Sequence, residues 1–308
     1  MVLGTASQAP TRYRNHNGYL LRWDGHGVLF DPGEGTQRQM VLAGVPSSAI
    51  DRICLTHLHG DHCLGLPGVL ARMALDRSSH DDEDDDPPVE VFFPAESHET
   101  FVHLVNASLS RRPAIVARAG GEGVLGDGPP LRLSARRLDH RVPTLGYRLD
   151  EPDGITMLPD RLAAAGVHGP DVGRLQREGR LGGVRLEDVS VARPGQSMAF
   201  VMDTRLCGAA VELAAGVDLL VCESTFLAED AALADAYAHL TAAQAGRLAR
   251  EAGARRLVLT HFSQRYPDTA RFADEAAEHF PDVVAAHDLD VIPVPARREP
   301  PEASEGTT

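Results

Sequence analysis

The chain has 308 residues, 43% hydrophobic and 24% charged, with a formal net charge of −14. That length suits one large α/β domain or two small ones, and no apolar run reaches the roughly 18–20 residues that span a bilayer. The negative charge speaks against a general nucleic-acid binder, and no charged-then-apolar leader opens the chain, so a cytoplasmic protein without a membrane partner is expected.

The first apolar stretch, from Val2 to Gly4, begins a strand. It opens into a loop, Pro10-Thr11-Arg12-Tyr13-Arg14-Asn15, with two arginines and an asparagine. Guanidinium forks suit phosphate oxygens, and Asn reads a base or caps a turn; a solvated loop suits the composition equally. The strand Val28-Leu29-Phe30 ends in Asp31, and Gly33 and Gly35 follow. Asp31 either orients a histidine of a metal site from behind or caps the turn.

A buried strand from Ile50 leads into Thr56-His57-Leu58-His59-Gly60-Asp61-His62. Three imidazoles and a carboxylate in one short turn are the ligand set of zinc and similar ions. The residues from Leu64 to Met73 start a helix, so the cluster lies on a strand-to-helix loop, where α/β sheets place their chemistry. His57 and His59 are two apart and can share one ion; Asp61 and His62 can face a second. The acidic run Asp81 to Asp86 makes 78–88 an expected disordered loop before the strand Val89 to Phe93.

Further ligands are sought at later strand ends. Leu131 to Ala135 alternates and leads to His140; Phe200-Val201-Met202 ends in Asp203; Leu257 to Thr260 ends in His261. On residues alone Asp203 is a ligand or a turn residue, and His261 a ligand or a core histidine. Between them 150–195 is rich in Gly, Pro and Arg, with two short helical pieces hinged at Gly169-Pro170. Arg174, Arg177 and Arg180 recur every three residues and are expected on one helix face. Such an insertion is either a binding element or a surface excursion with a solvated basic face. The strand Val217 to Cys222 ends in Glu223, and Thr241 caps a helix running to Ala252. Glu223 and His239 form an acid/base pair, or each has a merely structural role. Cys54, Cys63, Cys207 and Cys222 lack paired spacing, so free thiols are expected. The tail 296–308 is expected to be disordered.

The H-x-H-x-D-H cluster resembles the signature of the metallo-β-lactamase fold. The full set of motifs resembles the ribonuclease Z family over nearly the whole chain. Pro10 to Asn15 resembles its P-x-K-x-R-N loop, with Arg12 in place of Lys. Phe30 to Gln37 resembles F-D-C-G-E-G-T-Q, and Thr56 to Leu70 resembles T-H-x-H-G-D-H-x-x-G-L-P-G-L-L. Asp139 to Tyr147 resembles D-H-x-x-P-x-x-G-Y, which strengthens His140 as a ligand. Glu223 matches the glutamate of H-E-A-T and His239 the histidine of H-S-T, but Cys222, Ser224 and Leu240 depart from those motifs.

The resemblance implies an α/β four-layer αβ/βα sandwich with an inserted flexible arm, 150–195, gripping the transfer-RNA elbow through Gly169, Pro170, Arg174 and Arg177. It implies two zinc ions, with manganese as another activating ion. His57, His59 and His140 would hold one, Asp61, His62 and His261 the other, and Asp203 would bridge. It implies Asp61 as proton acceptor, His239 steered by Glu223 as proton donor, and Arg12, Arg14 and Asn15 as contacts to the acceptor stem. The implied activity is endonucleolytic removal of the 3′ trailer from transfer-RNA precursors, by a homodimer. It also implies a few more strand residues before Met1. The alternative is a small-molecule metallo-hydrolase of lactonase, sulfatase or lactamase type, sharing the ligands but lacking the arm. A non-catalytic RNA-binding relative is a third reading, which the complete ligand set disfavours.

Overall fold

Near-continuous apolar runs such as Leu219-Leu220-Val221-Cys222 must be covered on both faces, and two stacked sheets with helices outside do this. The structure is a computed structural model and describes residues 1–77, 87–108, 110–127 and 130–296. The disordered segments expected at 78–88 and 296–308 lie outside the described residues, apart from Pro87, Pro88 and Ala296. The chain divides into two units, one of Met1–Leu149 with Ser197–Pro295, the other containing Asp150–Gln196.

The first sheet of the larger unit runs in chain order: β1 (Val2–Gly4), β2 (Gly18–Trp23), β3 (His26–Phe30), β4 (Arg52–Cys54), β5 (Val89–Pro94) and β6 (Ile115–Gly120). β1 to β3 pair antiparallel, and β3 to β6 parallel. The chain continues through β7 (Gly123–Gly126), β8 (Arg132–Arg137) and β9 (Leu145–Asp150). β10 (Gly154–Met157), β11 (Arg180–Leu181), β12 (Val184–Arg185) and β13 (Ser190–Arg193) form two small ribbons in the second unit. β14 (Ser197–Val201), β15 (Leu219–Glu223), β16 (Arg256–Thr260) and β17 (Val283–Ala285) complete the second large sheet, ordered β17-β16-β15-β14-β9-β8-β7.

The helices before the insertion are α1 (Thr36–Leu42), α2 (Gly60–Cys63), α3 (Leu66–Arg77) and α4 (His98–Val105). Those of the second unit are α5 (Pro159–Ala164) and α6 (Pro170–Glu178). α7 (Gly208–Leu213), α8 (Ala231–Tyr237), α9 (Ala242–Ala252) and α10 (Ala270–Ala277) follow. Strand alternation sorts side chains into three cores. Phe30, Cys54, Phe200 and Val221 point between the sheets. Leu29 and Ile53 join Met40, Leu66 and Phe101 on one outer face, and Val201, Leu220 and Leu259 join Leu213, Leu248 and Phe272 on the other. The result is helix, sheet, sheet, helix, the expected four layers.

At the centre the Phe30 and Phe200 rings stack at 4.6 Å, and Tyr19 meets Phe200 edge-on at 5.1 Å. Burying each such ring is worth roughly 1.5–3 kcal/mol. Tyr147 donates its hydroxyl to the Leu55 carbonyl at 2.7 Å, and the Leu145 amide donates to the Thr56 carbonyl at 2.9 Å. Both bonds tie the second sheet to the chain immediately before His57. The parallel strands β3, β4, β14, β15 and β16 end on one edge, which carries Asp31, the histidine cluster, Asp203, Glu223 and His261.

The second unit has its own small core of Leu162, Val167, Leu175 and Val189. α6 starts with Gly169 at φ 56° and Pro170 in the first turn, and stops at Gly179 in the left-handed conformation. That stop corrects the expectation of a three-arginine stripe. Arg180 lies beyond the glycine cap on β11, so only Arg174 and Arg177 share the helix.

Candidate metal centre

The two expected sets of ligands come together at the strand ends. Donor atoms of His57, His59, His140 and Asp203 lie within 4.8 Å of one another, as do those of Asp61, His62 and His261. Asp203 sits between the two sets. Its Oδ2 is 3.5 Å from His57 Nε2 and 3.7 Å from His140 Nε2, while its Oδ1 is 3.3 Å from His62 Nε2 and 3.2 Å from His261 Nε2. Asp61 Oδ2 lies 3.4 Å from His62 Nε2 and 3.5 Å from His261 Nε2. A third grouping, Asp203 with His239 and His261, meets the same distance limit.

The outward nitrogens fix which way each ring presents its lone pair. His62 Nδ1 donates to Asp31 Oδ2 at 2.8 Å. Thr56 donates its hydroxyl to Asp31 Oδ2 at 2.7 Å, so its oxygen is left to accept His57 Nδ1 at 3.1 Å. His140 Nδ1 donates to the Ala238 carbonyl at 3.0 Å. Thr225 donates its hydroxyl to Glu223 Oε2 at 2.6 Å and accepts from His261 Nδ1 at 2.7 Å. In all four rings Nδ1 is committed outward and Nε2 faces inward, the atom that would meet an ion. His59 is turned the other way, its Nδ1 lying 2.8 Å from His57 Nε2. Asp31 thus accepts from His62 and from both the amide and the hydroxyl of Thr56.

Backbone strain collects here. Asp31, Asp203, His261 and Ala238 all have φ between 44° and 61°. Non-glycine residues hold that conformation only where surrounding bonds over-determine it. Here it turns each strand or helix end sharply enough to aim a side chain, or for Ala238 a carbonyl, into the site.

Beside the cluster, Glu223 is fully buried and His239 Nδ1 donates to its Oε1 at 3.0 Å. Burial disfavours the His239 cation, but the Glu223 and Asp203 carboxylates outweigh it and push its pKa up to about 9. Glu223 also accepts the Thr204 amide at 2.7 Å and the Leu240 amide at 3.1 Å. It therefore fixes both the loop after Asp203 and the loop bearing His239.

The residues fit a divalent metal. Burial holds the pKa values of His57, His59 and His140 below the ordinary histidine range, so all three are neutral donors. Burial also works against the Asp203 charge, yet the imidazoles of His261 and His62 around it keep it ionised. Asp203 Oδ1 and His140 Nε2 are buried without a hydrogen-bond partner, a costly arrangement unless a cation answers them. Burial opposes a proton on His62, but Asp203, Asp61 and Asp31 hold one there; a metal ion would take over that balancing charge.

Residues 26–262 match the beta-lactamase superfamily domain family. The chain is 56% identical over 301 residues to the ribonuclease Z of Streptomyces avermitilis, covering 96% of this chain and 98% of that protein. The chain belongs to the ribonuclease Z family. The ribonuclease Z of Nocardia farcinica is likewise 56% identical over 307 residues, covering 97% and 98%. The crystal structure of human tRNase Z, short form, superposes with a TM-score of 0.67 at 24% identity, covering 96% of this chain and 99% of that one. That likeness carries the metallo-β-lactamase fold alone.

Against the ribonuclease Z motifs, the loop Pro10 to Asn15 divides in two. Arg14 is buried and donates to the Ser263 and Tyr266 carbonyls at 3.1 and 2.9 Å. Asn15 donates to the Glu34 carbonyl at 2.9 Å and, through its amide, to Asp288 Oδ2 at 2.7 Å. Arg14 holds the loop onto the segment after His261, and Asn15 holds it onto Glu34 and Asp288, which corrects the expectation of free phosphate contacts. Arg12 and Tyr13 are exposed at the tip, with the guanidinium 5.8 Å from the ring centroid. In the second unit Arg174 pairs with Glu178 at 2.9 Å, and Arg177 is exposed.

Several residues at this ribonuclease Z site were missed. Thr225, Thr56 and the Ala238 carbonyl carry no metal-site signal of their own. Asn17 Nδ2 lies 3.2 Å from His62 Nε2, and its Oδ1 accepts the Tyr19 hydroxyl at 2.7 Å. The polar residues Asn15-His16-Asn17 directly before the apolar strand β2 were the available hint.

Proposed function

We infer that the chain is an endoribonuclease that removes the 3′ trailer from transfer-RNA precursors, leaving a 3′-hydroxyl on the transfer RNA and a 5′-phosphate on the trailer. The observation that carries this is Asp203 lying between two sets of imidazoles, with the His239–Glu223 pair at their side. Two divalent ions bound there, zinc or else manganese, would stabilise the phosphate charge and make the attacking water more acidic. His57, His59 and His140 would hold one, Asp61, His62 and His261 the other, and Asp203 both.

The remaining steps belong to the chain's own groups. The Asp61 carboxylate accepts a proton as water attacks phosphorus. The bond from phosphorus to the ribose 3′-oxygen then breaks, and His239 Nε2 delivers its proton to that oxygen. Glu223 keeps His239 protonated beforehand and orients the ring. Asp31 keeps His62 and, through Thr56, His57 in the donating tautomer.

Arg12 faces solvent and serves as the acceptor-stem contact of its loop. The segment 150–195 is the transfer-RNA arm, with Gly169-Pro170 setting the start of α6 and Arg177 exposed on it. It reads RNA by shape, as folded RNA is usually read. The active form in this reading is a cytoplasmic homodimer; no helix of the described residues is long and apolar enough to cross a membrane. The test is incubation of purified protein with a 3′-extended transfer-RNA precursor, with the cut site and both new ends mapped. One cut at the acceptor end leaving 3′-hydroxyl and 5′-phosphate is expected. Hydrolysis of small esters with no cut in the RNA would favour the small-molecule hydrolase.

A further inference from the structure

Beside His239 the chain exposes an aromatic ring and a cation that neither the metal centre nor the acid pair uses. Phe226 lies three residues beyond Glu223, buried, with its amide bonded to the Leu240 carbonyl at 3.2 Å. Its ring centroid is 6.2 Å from that of His239 and 6.4 Å from that of Tyr237, and the Tyr237 ring is parallel to it within 12°. Tyr237 ends α8 with 49% of its surface exposed. Arg265 brings its guanidinium carbon 6.0 Å from the Phe226 centroid.

Arg265 stands out from the other arginines of this region. Arg14 is bonded to two carbonyls, Arg205 to Asp139 and Asp235, and Arg271 to Glu229. Arg265 is exposed, and its guanidinium has no hydrogen bond or ion pair among the described residues. Its backbone is nonetheless fixed, because the carbonyls of Ser263 and Tyr266 on either side accept Arg14. Tyr237, exposed, and the Arg265 guanidinium, without a polar partner among the described residues, both lie against the buried Phe226 ring; an exposed ring to stack a base and a cation to take phosphate are the groups that bind a nucleotide.

The chemistry gives this pair a direction. His239 protonates the departing 3′-oxygen, so the ribose bearing that oxygen must lie against His239. Phe226, Tyr237 and Arg265 are on that flank. We propose that Tyr237 and Arg265 form a nucleotide subsite for the residue immediately 5′ of the cut, Tyr237 stacking its base and Arg265 binding the phosphate on its 5′ side. The subsite rests on the ribonuclease reading and on His239 as proton donor.

The test uses full-length protein loaded with zinc and a precursor RNA made in three forms: intact, abasic at the nucleotide 5′ of the cut, and abasic at the nucleotide 3′ of it. Tyr237→Ala should lower kcat/KM on intact RNA by about 5- to 150-fold, the range of a base–aromatic stack. Tyr237→Phe and Tyr237→Trp should restore it. The 5′-abasic RNA should lose a similar factor with the wild type and almost nothing further with Tyr237→Ala, whereas the 3′-abasic RNA should still feel the substitution in full. Arg265→Gln should raise KM and flatten the salt dependence by about one phosphate contact, roughly 0.7 in the log–log slope. Bound zinc and melting temperature of each variant show whether the fold is kept. Losses that multiply between Tyr237→Ala and the 5′-abasic RNA, or failure of Phe and Trp to rescue, overturn the subsite. A wild type that hydrolyses small phosphodiesters but cuts none of the RNAs overturns the ribonuclease reading itself, a result seen before any variant is made.

Discussion

Glu223→Gln is the most revealing single substitution, because the carboxylate receives five donors in a fully buried place. Oε1 accepts the Thr204 amide and His239 Nδ1; Oε2 accepts the Thr225 hydroxyl, the Thr225 amide and the Leu240 amide. A glutamine must point its NH₂ at one set. Facing the Oε1 set orphans two donors instead of three and keeps the link from Thr225 to His261, so that orientation is preferred. Two orphaned buried donors cost about 2–6 kcal/mol, a large part of the roughly 5–15 kcal/mol that stabilises a typical protein. At this size the melting temperature should fall by roughly 5–20 °C. His239 loses its acceptor, so cleavage of RNA should slow by about 10²–10⁴, the usual worth of a general acid. Hydrolysis of bis-p-nitrophenyl phosphate, whose leaving group needs no proton, should slow far less. The pH profile carries the sign: the protonated His239 is the active form, present below its pKa and lost as pH rises through it. Against burial, the Glu223 and Asp203 carboxylates raise that pKa to about 9, so in the variant, with the Glu223 charge gone, the alkaline limb of kcat/KM for RNA should move to lower pH. Wild-type stability, an unmoved limb and equal losses on both substrates would refute this reasoning.

His239→Ala should show the same selective loss on RNA, about 10²–10⁴. Combined with Glu223→Gln it should cost little more than either alone, because the pair acts as one unit; leaving-group kinetics on the double variant check this. Asp61→Ala should abolish cleavage while RNA affinity, measured by fluorescence anisotropy, stays near wild type. Deleting residues 155–192 should weaken transfer-RNA binding and leave bis-p-nitrophenyl phosphate hydrolysis largely intact. Gly154 and Arg193 are paired across β10 and β13, so the cut ends already adjoin; equal loss of both activities would make the segment part of the core.

The larger fold was legible because its strands are apolar runs ending in chemistry. Val201, Glu223 and Thr260 close parallel strands, and Asp203 and His261 follow just past the same edge. The histidine cluster was legible from spacing alone. What the sequence could not show was which groups face inward. Arg14 looks like a phosphate ligand until the Ser263 and Tyr266 carbonyls, far along the chain, are found to take it. Arg180 keeps the three-residue period, but Gly179 adopts φ 72° and ends the helix one residue earlier. The tautomers of His140 and His261 depend on a backbone carbonyl and a threonine hydroxyl, groups present everywhere in a sequence and informative only once folded.

The seven-residue cluster should be a two-ion centre with His239 outside the ligand set, although the His239 ring also lies within reach of Asp203 and His261. Metal analysis of dialysed wild-type protein and of His239→Ala, by mass spectrometry of the acid-digested protein, tests this directly. Two ions per chain in both proteins is the predicted result. One ion or none in the wild type, or loss of an ion in His239→Ala, would contradict it.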